Sequence, residues 1–328
     1  MTAAASALTT VRSGRRSLRP LLYDYLLPVL LVAMVALFAV LEPQFVESSN
    51  LVNVARQSVF LLLITLGQMI VLIHAQLDLS VGATVAATSV LVATVTREVV
   101  PGASVALGLL VGLGFGVAVG LVNGALVAFW RVPSFMATLG TTSILTGLAL
   151  IVSNGAPVTG IPLKFSDVLG TGQVLGIPVP VVLGVVVMII VAVLLGRARL
   201  GRDMYAVGGN PEAARAAGIN VRRTVMIGFV LCSVLAAFAG VLLTARVGSG
   251  EASLGGSYVM LSIAAAVLGG TSLFGGEGKV WRVVVGVLFL GVLSNGMNLL
   301  HVSSYVQQLV IGTVLICAVG LERLRESL

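Results

Sequence analysis

Long apolar runs alternate with short polar breaks along almost the whole chain. A hydrocarbon core roughly 30 Å thick needs about 20 helical residues, so the runs predict ten transmembrane helices. They fall at 21–42, 57–75, 79–96, 102–129, 135–153, 177–196, 224–245, 257–275, 283–299 and 304–320, with only His74 to Ser80 between the second and third. Arg12, Arg15, Arg16 and Arg19 precede the first run, as they would in a signal peptide. That run continues to about Leu41, longer than a signal peptide needs. It reads as an uncleaved first helix behind a cytoplasmic segment, 1–20, with 21–328 forming a single transmembrane domain.

Composition agrees. Of the 328 residues 58% are hydrophobic and 9% charged, against about 25% charged in soluble domains. The net charge of +7 does not point to nucleic acid, because the basic residues sit in short clusters between apolar runs. With the amino terminus inside, fifteen Lys and Arg fall in inside segments and four, Arg56, Arg97, Lys164 and Arg246, fall outside. That bias orients the chain with both termini cytoplasmic. The fold class is therefore all-α integral membrane. Cys232 and Cys317 lie within apolar runs without metal spacing and read as packing residues.

The fourth run carries Gly108, Gly112, Gly116, Gly120 and Gly124, one glycine per turn on one face. Such a stripe lets another helix backbone approach closely, whether in this chain or in a second one. Asn123-Gly124 precedes Gly140-Thr141 by the same seventeen positions that separate Asn295-Gly296 from Gly312-Thr313. This echo is shifted by five helices, as in an inverted repeat.

Chemistry is sparse. Lys279 follows Gly278 as in a phosphate loop, but Leu273 stands where the first glycine belongs and Val280 replaces Ser/Thr. Two histidines build no catalytic or metal constellation. The chain reads as a transport subunit rather than an enzyme, with no cofactor of its own. Asp24 lies near the inner end of the first run, where the interface solvates it. Asp78 and Ser80 either cap the third helix or form a turn before it, or stand on a translocation path with Asn123 and Asn295; His74 and Asp78 would share a face if the helix continued between them. So few buried charges point to energy supplied from elsewhere.

The inside loop 197–223 is the most informative segment. Asn210 before Pro211, with Glu212 in the first turn, reads as a helix start, and Gly218 as its stop. A short alanine-rich helix suits docking into a partner's groove better than lying on lipid. Its candidate docking residues are Gly208, Gly209, Asn210, Pro211, Glu212, Ala213, Arg215 and Gly218.

The stretch Ala206 to Val221, with Leu77 to Gly82, Pro133 to Thr141, Ala245 to Gly256, Leu268 to Val280 and Ser294 to Leu300, resembles the permease subunits of ribose-type bacterial ABC importers from about residue 50 onward. The resemblance implies a multi-pass inner-membrane permease for a monosaccharide or similar polyol. It would pair with a second permease, a periplasmic sugar-binding protein and ABC ATPase subunits that carry ATP and Mg and touch loop 197–223. Two departures bear on the substrate: Ala75-Gln76 where many such permeases have two glycines, and Val259 and Leu261 where acidic residues are expected. The alternatives are a self-sufficient secondary carrier, or an ABC permease for another solute such as a branched-chain amino acid.

Overall fold

The structure, a computed structural model, describes residues 19–98 and 102–326. The basic cluster from Arg12 to Arg16 and the Asp24 side chain lie outside what it describes. The architecture is all-helical apart from one two-residue hairpin. α1 (Arg19–Leu41) leads through a 3-10 turn (Pro43–Val46) into α2 (Ser48–Ile73), α3 (Val81–Thr96), α4 (Ser104–Ala128) and α5 (Ser134–Ser153). A surface segment then holds α6 (Leu163–Ser166), a π turn (Asp167–Thr171) and the hairpin of β1 (Gln173–Val174) with β2 (Ile177–Pro178). α7 (Val179–Arg197), α8 (Arg199–Gly209), α9 (Pro211–Ala216), α10 (Val221–Val247), α11 (Tyr258–Leu268), α12 (Val280–Leu299) and α13 (Ser304–Glu326) complete the chain.

Prolines and left-handed residues punctuate these helices. Pro133 and Pro178 stand just before α5 and α7, where a fixed φ costs nothing and no amide is lost. Asn154 at φ 51° and Gly248 at φ 77° close α5 and α10. Among the described residues six helices, α2, α4, α5, α7, α10 and α12, are long and apolar enough to cross a membrane. α3 and α11 have 16 and 11 residues, about 24 and 16 Å at the helical rise. The span expected at 257–275 is thereby corrected. Its helix stops at Leu268, because Gly270 turns left-handed at φ 71°; Gly269, just before it, packs on α12, where a Cβ would lie 2.7 Å from Val283 Cα.

The core forms around α2 and α10, whose most apolar windows are 89% and 67% buried against 22–28% for α4, α5 and α7. α10 packs on α2, α3 and α4; α2 packs on α10, α11 and α12; α3 meets α5 as α11 meets α13. Exchanging α2–α5 for α10–α13 therefore reproduces the packing order. At the centre of this exchange Gly82 and Gly255 lie face to face, and a Cβ on Gly255 would fall onto the Gly82 carbonyl oxygen. Counting back from each gives Asp78-Leu79-Ser80-Val81-Gly82 and Glu251-Ala252-Ser253-Leu254-Gly255. The seventeen-residue echo does not extend to bonding. Thr141 donates to Asn123, whereas Thr313 donates to the Leu309 carbonyl within its own helix.

Candidate translocation segment and docking loop

The glycine stripe of α4 faces α10 of the same chain. Going down α4, Cβ atoms would meet Phe165 at Gly108, Val241 at Gly112, Ala237, Ser233 and Val234 at Gly116, Val230 at Gly120 and Met226 at Gly124. Phe165 belongs to α6; from Gly112 on the partners lie on α10 and their numbers fall as the glycine numbers rise, so the two helices run antiparallel.

The chain between α2 and α3 is an ordered, buried break. α2 ends at Ile73, and Ala75 takes a left-handed φ of 57° with its N–H on the Leu72 carbonyl at 2.8 Å. His74 and Asp78 consequently do not share a helical face. The His74 ring packs on Gly228 of α10 and its Nδ1 donates to the Ile70 carbonyl at 2.8 Å. Asp78 Oδ1 accepts from Ser80 N at 2.8 Å and Ser80 Oγ at 2.6 Å. Of the two structural roles expected, neither side chain caps α3, but Asp78 closes a turn on the Ser80 amide. Ser80 occupies the N-cap, but its hydroxyl is spent on Asp78 rather than on a first-turn amide.

From Ser80 a polar chain continues. Asn123 Nδ2 donates to Ser80 Oγ at 2.9 Å, and Thr141 donates to Asn123 Oδ1 at 2.6 Å. Asp78, Ser80 and Asn123 are fully buried. α5 supplies three further hydroxyls. Ser134 accepts from Leu77 N, Thr138 accepts from Leu79 N, and Thr142 donates to the Leu79 carbonyl, each at 3.1 Å. These α5 residues were missed by sequence reasoning, although Ser134, Thr138 and Thr141 recur at helical spacing along one face. Three main-chain groups of the break, the Leu77 and Leu79 amides and the Leu79 carbonyl, are thus satisfied by a neighbouring helix, as irregular backbone at membrane depth requires. Asp78 Oδ2, His74 Nε2 and the Gln68 side-chain amide have no hydrogen-bond partner among the described residues.

Asn295 does not join this group. It exchanges two 2.9 Å amide hydrogen bonds with Asn50, tying α12 to the start of α2. It therefore stands apart from Asp78, Ser80 and Asn123, with both polar ends of its side chain bonded to Asn50.

In the loop 197–223 the structure places two helices where the sequence pointed to one. α8 precedes the expected helix and packs Met204 and Val207 inward. The pattern Leu200, Met204, Val207 was its available signal. Asn210 Oδ1 accepts from Glu212 N at 3.0 Å and Ala213 N at 2.9 Å, with Pro211 at the first helical position. Gly218, at φ 83°, follows the helix and donates to the Arg215 carbonyl at 3.0 Å. Gly209, Asn210, Pro211, Glu212, Ala213, Arg215 and Gly218 are exposed, while Gly208 and Ala214 are buried. Gly208 is therefore not a docking contact but part of what holds the loop to the membrane helices. Tyr205 donates its hydroxyl to the Gly278 carbonyl at 2.7 Å, and burial pushes its phenol above the usual range, keeping the proton on. Among the described residues no group of three or more His, Cys, Asp or Glu could hold a metal ion.

Residues 50–319 match the family model described as the branched-chain amino acid transport system / permease component. The chain is 40% identical over 298 residues to the ribose import permease protein of Bacillus subtilis, covering 90% of this chain and 92% of that one. It is 37% identical over 297 residues to the D-allose transport system permease protein of Escherichia coli, covering 90% of each. It is likewise 37% identical over 301 residues to the L-arabinose transport system permease protein of the same organism, covering 91% of this chain and 90% of that one. No solved structure matches it. With the all-helical fold and, among the described residues, six helices long and apolar enough to cross a membrane, these matches place the chain in a family of membrane transport subunits, not enzymes: it belongs to the permeases of ABC importers.

Proposed function

We propose that the chain carries a monosaccharide or similar polyol across the bacterial inner membrane as one of a pair of permeases. ATP hydrolysis takes place on separate ATPase subunits, and a periplasmic binding protein delivers the sugar. Ten helices span or enter the bilayer, both termini are cytoplasmic, and α2–α5 and α10–α13 form two halves of opposite orientation. The observation that carries the ATPase reading is α9. It is capped at both ends, presents Glu212, Ala213 and Arg215 to solvent and is rooted by buried Ala214. A helix so small offers backbone-close contact to a partner groove, with two charges to set its direction.

The sugar reading rests on the names of the ribose, allose and arabinose relatives. It is supported by the neutral hydroxyl and amide groups around Asp78, because polyols are held by such donors and acceptors. Asp78, Ser80 and Asn123 line the path when α5 draws away from the break. The family description favours a second reading, a branched-chain amino acid. Uptake by proteoliposomes holding the permease, its ATPase and its binding protein separates the two. Labelled ribose, allose or arabinose should accumulate with ATP and labelled leucine should not. Accumulation of leucine alone would reverse the assignment, and uptake without the ATPase would make the chain a secondary carrier.

A further inference from the structure

Three segments remote in sequence meet backbone to backbone where α2 ends. Gly276, in the loop between α11 and α12, donates its N–H to the carbonyl of Ile73 at 2.9 Å. A Cβ on Gly208 of α8 would fall onto that same carbonyl oxygen and lie 2.7 Å from Gly276 N. At Gly275 a Cβ would stand 2.8 Å from the Gly208 carbonyl oxygen and 2.9 Å from Ala75 Cβ, and at Gly276 3.0 Å from Gly209 Cα. Gly275 and Gly276 have φ of 90° and 74°, which other residues rarely adopt. The Tyr205 hydroxyl fastens the far side of the loop through the Gly278 carbonyl at 2.7 Å.

No side chain cushions Gly208 from Ile73. Close-packed backbones pass a displacement on rather than absorb it. α8 is joined to α9 through the single residue Asn210, and Ile73 lies five residues before Asp78. We propose that the contact of Gly208 with Ile73 and Gly275–Gly276, fastened by Tyr205, is the joint through which movement of the docking helix reaches the Asp78 break. The proposal rests on the reading of α9 as the ATPase-docking element. The loop between α11 and α12 is then a working part of the importer, and Tyr205 and Gly208 are positioning residues that touch neither ATPase nor sugar.

The test uses the full complex in proteoliposomes, reading ATPase recruitment by pull-down and sugar moved per ATP hydrolysed. Tyr205→Phe keeps the ring and removes one hydrogen bond. It should recruit ATPase as the wild type does while sugar moved per ATP falls about three- to tenfold, the factor a single hydrogen bond supports. Gly208→Ala forces the joint apart and should lower the ratio further. The double variant should fall by less than the product of the two, because both act on one contact. If Gly208→Ala does not fold, Tyr205→Phe decides alone. Unchanged coupling in Tyr205→Phe, or loss of ATPase recruitment by it, overturns the joint. A wild-type chain that recruits no ATPase through loop 197–223 overturns the docking reading, and the joint with it.

Discussion

Gly114 and Gly116 sit two residues apart on α4 and face different surroundings, which makes them a matched pair for testing the helix contact. Nothing lies within 4 Å of a Cβ at Gly114. At Gly116 a Cβ would lie 2.7 Å from Ala237 Cβ, 2.8 Å from the Ser233 carbonyl oxygen and 2.9 Å from Val234 Cα. All three neighbours belong to the backbone or sit directly on it, so no rotamer change relieves them. A carbon contact relaxes at about 3.5–4.0 Å, which requires α4 and α10 to part by roughly 1 Å, and a gap of that size forfeits up to about half of each neighbouring dispersion contact. Overpacking of this kind costs about 1–3 kcal/mol. Gly114→Ala adds its methyl to open space and gains about 1 kcal/mol of helix propensity. We therefore expect the two alanine variants to differ by about 2–4 kcal/mol, with Gly114→Ala the more stable. Gly116→Leu should prevent assembly. Thermal melts followed by size-exclusion fluorescence in one detergent would measure the order. A Gly116→Ala protein as stable as Gly114→Ala would refute a close-packed stripe.

Asn295→Leu should cost about 1 kcal/mol, because half-buried Asn50 loses both bonds to it while its Nδ2 keeps the Phe45 carbonyl. Adding Asn50→Leu should restore much of the loss, read by the same melts. Asn210→Ala removes the acceptor of the Glu212 and Ala213 amides and should cost α9 about 1 kcal/mol, visible as faster hydrogen exchange at those two amides with α10 unaffected. With exposed Cys317 changed to serine and buried Cys232 retained, a cysteine at Ala213 should resist an impermeant thiol reagent in intact cells and react after lysis. Labelling from outside would invert the topology.

Apolar runs, the glycine stripe and the Asn210-Pro211 start were legible in the sequence because each depends on neighbours within a few residues. The termination of α11 was not. Gly269 and Gly270 look permissive inside an apolar run, and hydropathy does not register the left-handed φ of 71° that Gly270 takes. The pairing of Asn295 was hidden for a related reason: an asparagine within a span needs a partner, and its partner stands 245 positions away. The hydroxyls of Ser134, Thr138 and Thr142 look like ordinary intrahelical bonding until the break between α2 and α3 is laid beside them. Asp78 and Ser80 were identified as important, but their bonding to each other, rather than to α3, follows from a turn that hydropathy does not register.

The contrast between α4 and α5 sets where the chain can yield. α4 is locked to α10 by glycines from Gly112 to Gly124, a little over three turns or about 18 Å of close contact, and separating such surfaces leaves voids that nothing fills. α5 is held to the break by hydroxyl bonds at Leu77 and Leu79, while Cβ atoms at its Gly140 and Gly147 would meet nothing within 4 Å. Each of those hydroxyl bonds is replaceable, one for one, by water or by a hydroxyl of the cargo, at a net cost of about 1 kcal/mol or less. Wetting is thus the cheap deformation along α5 and parting is the expensive one along α4. A hydroxylated solute entering at Leu77–Leu79 would do the work of a solvent, loosening the seam by the same chemistry that closes it.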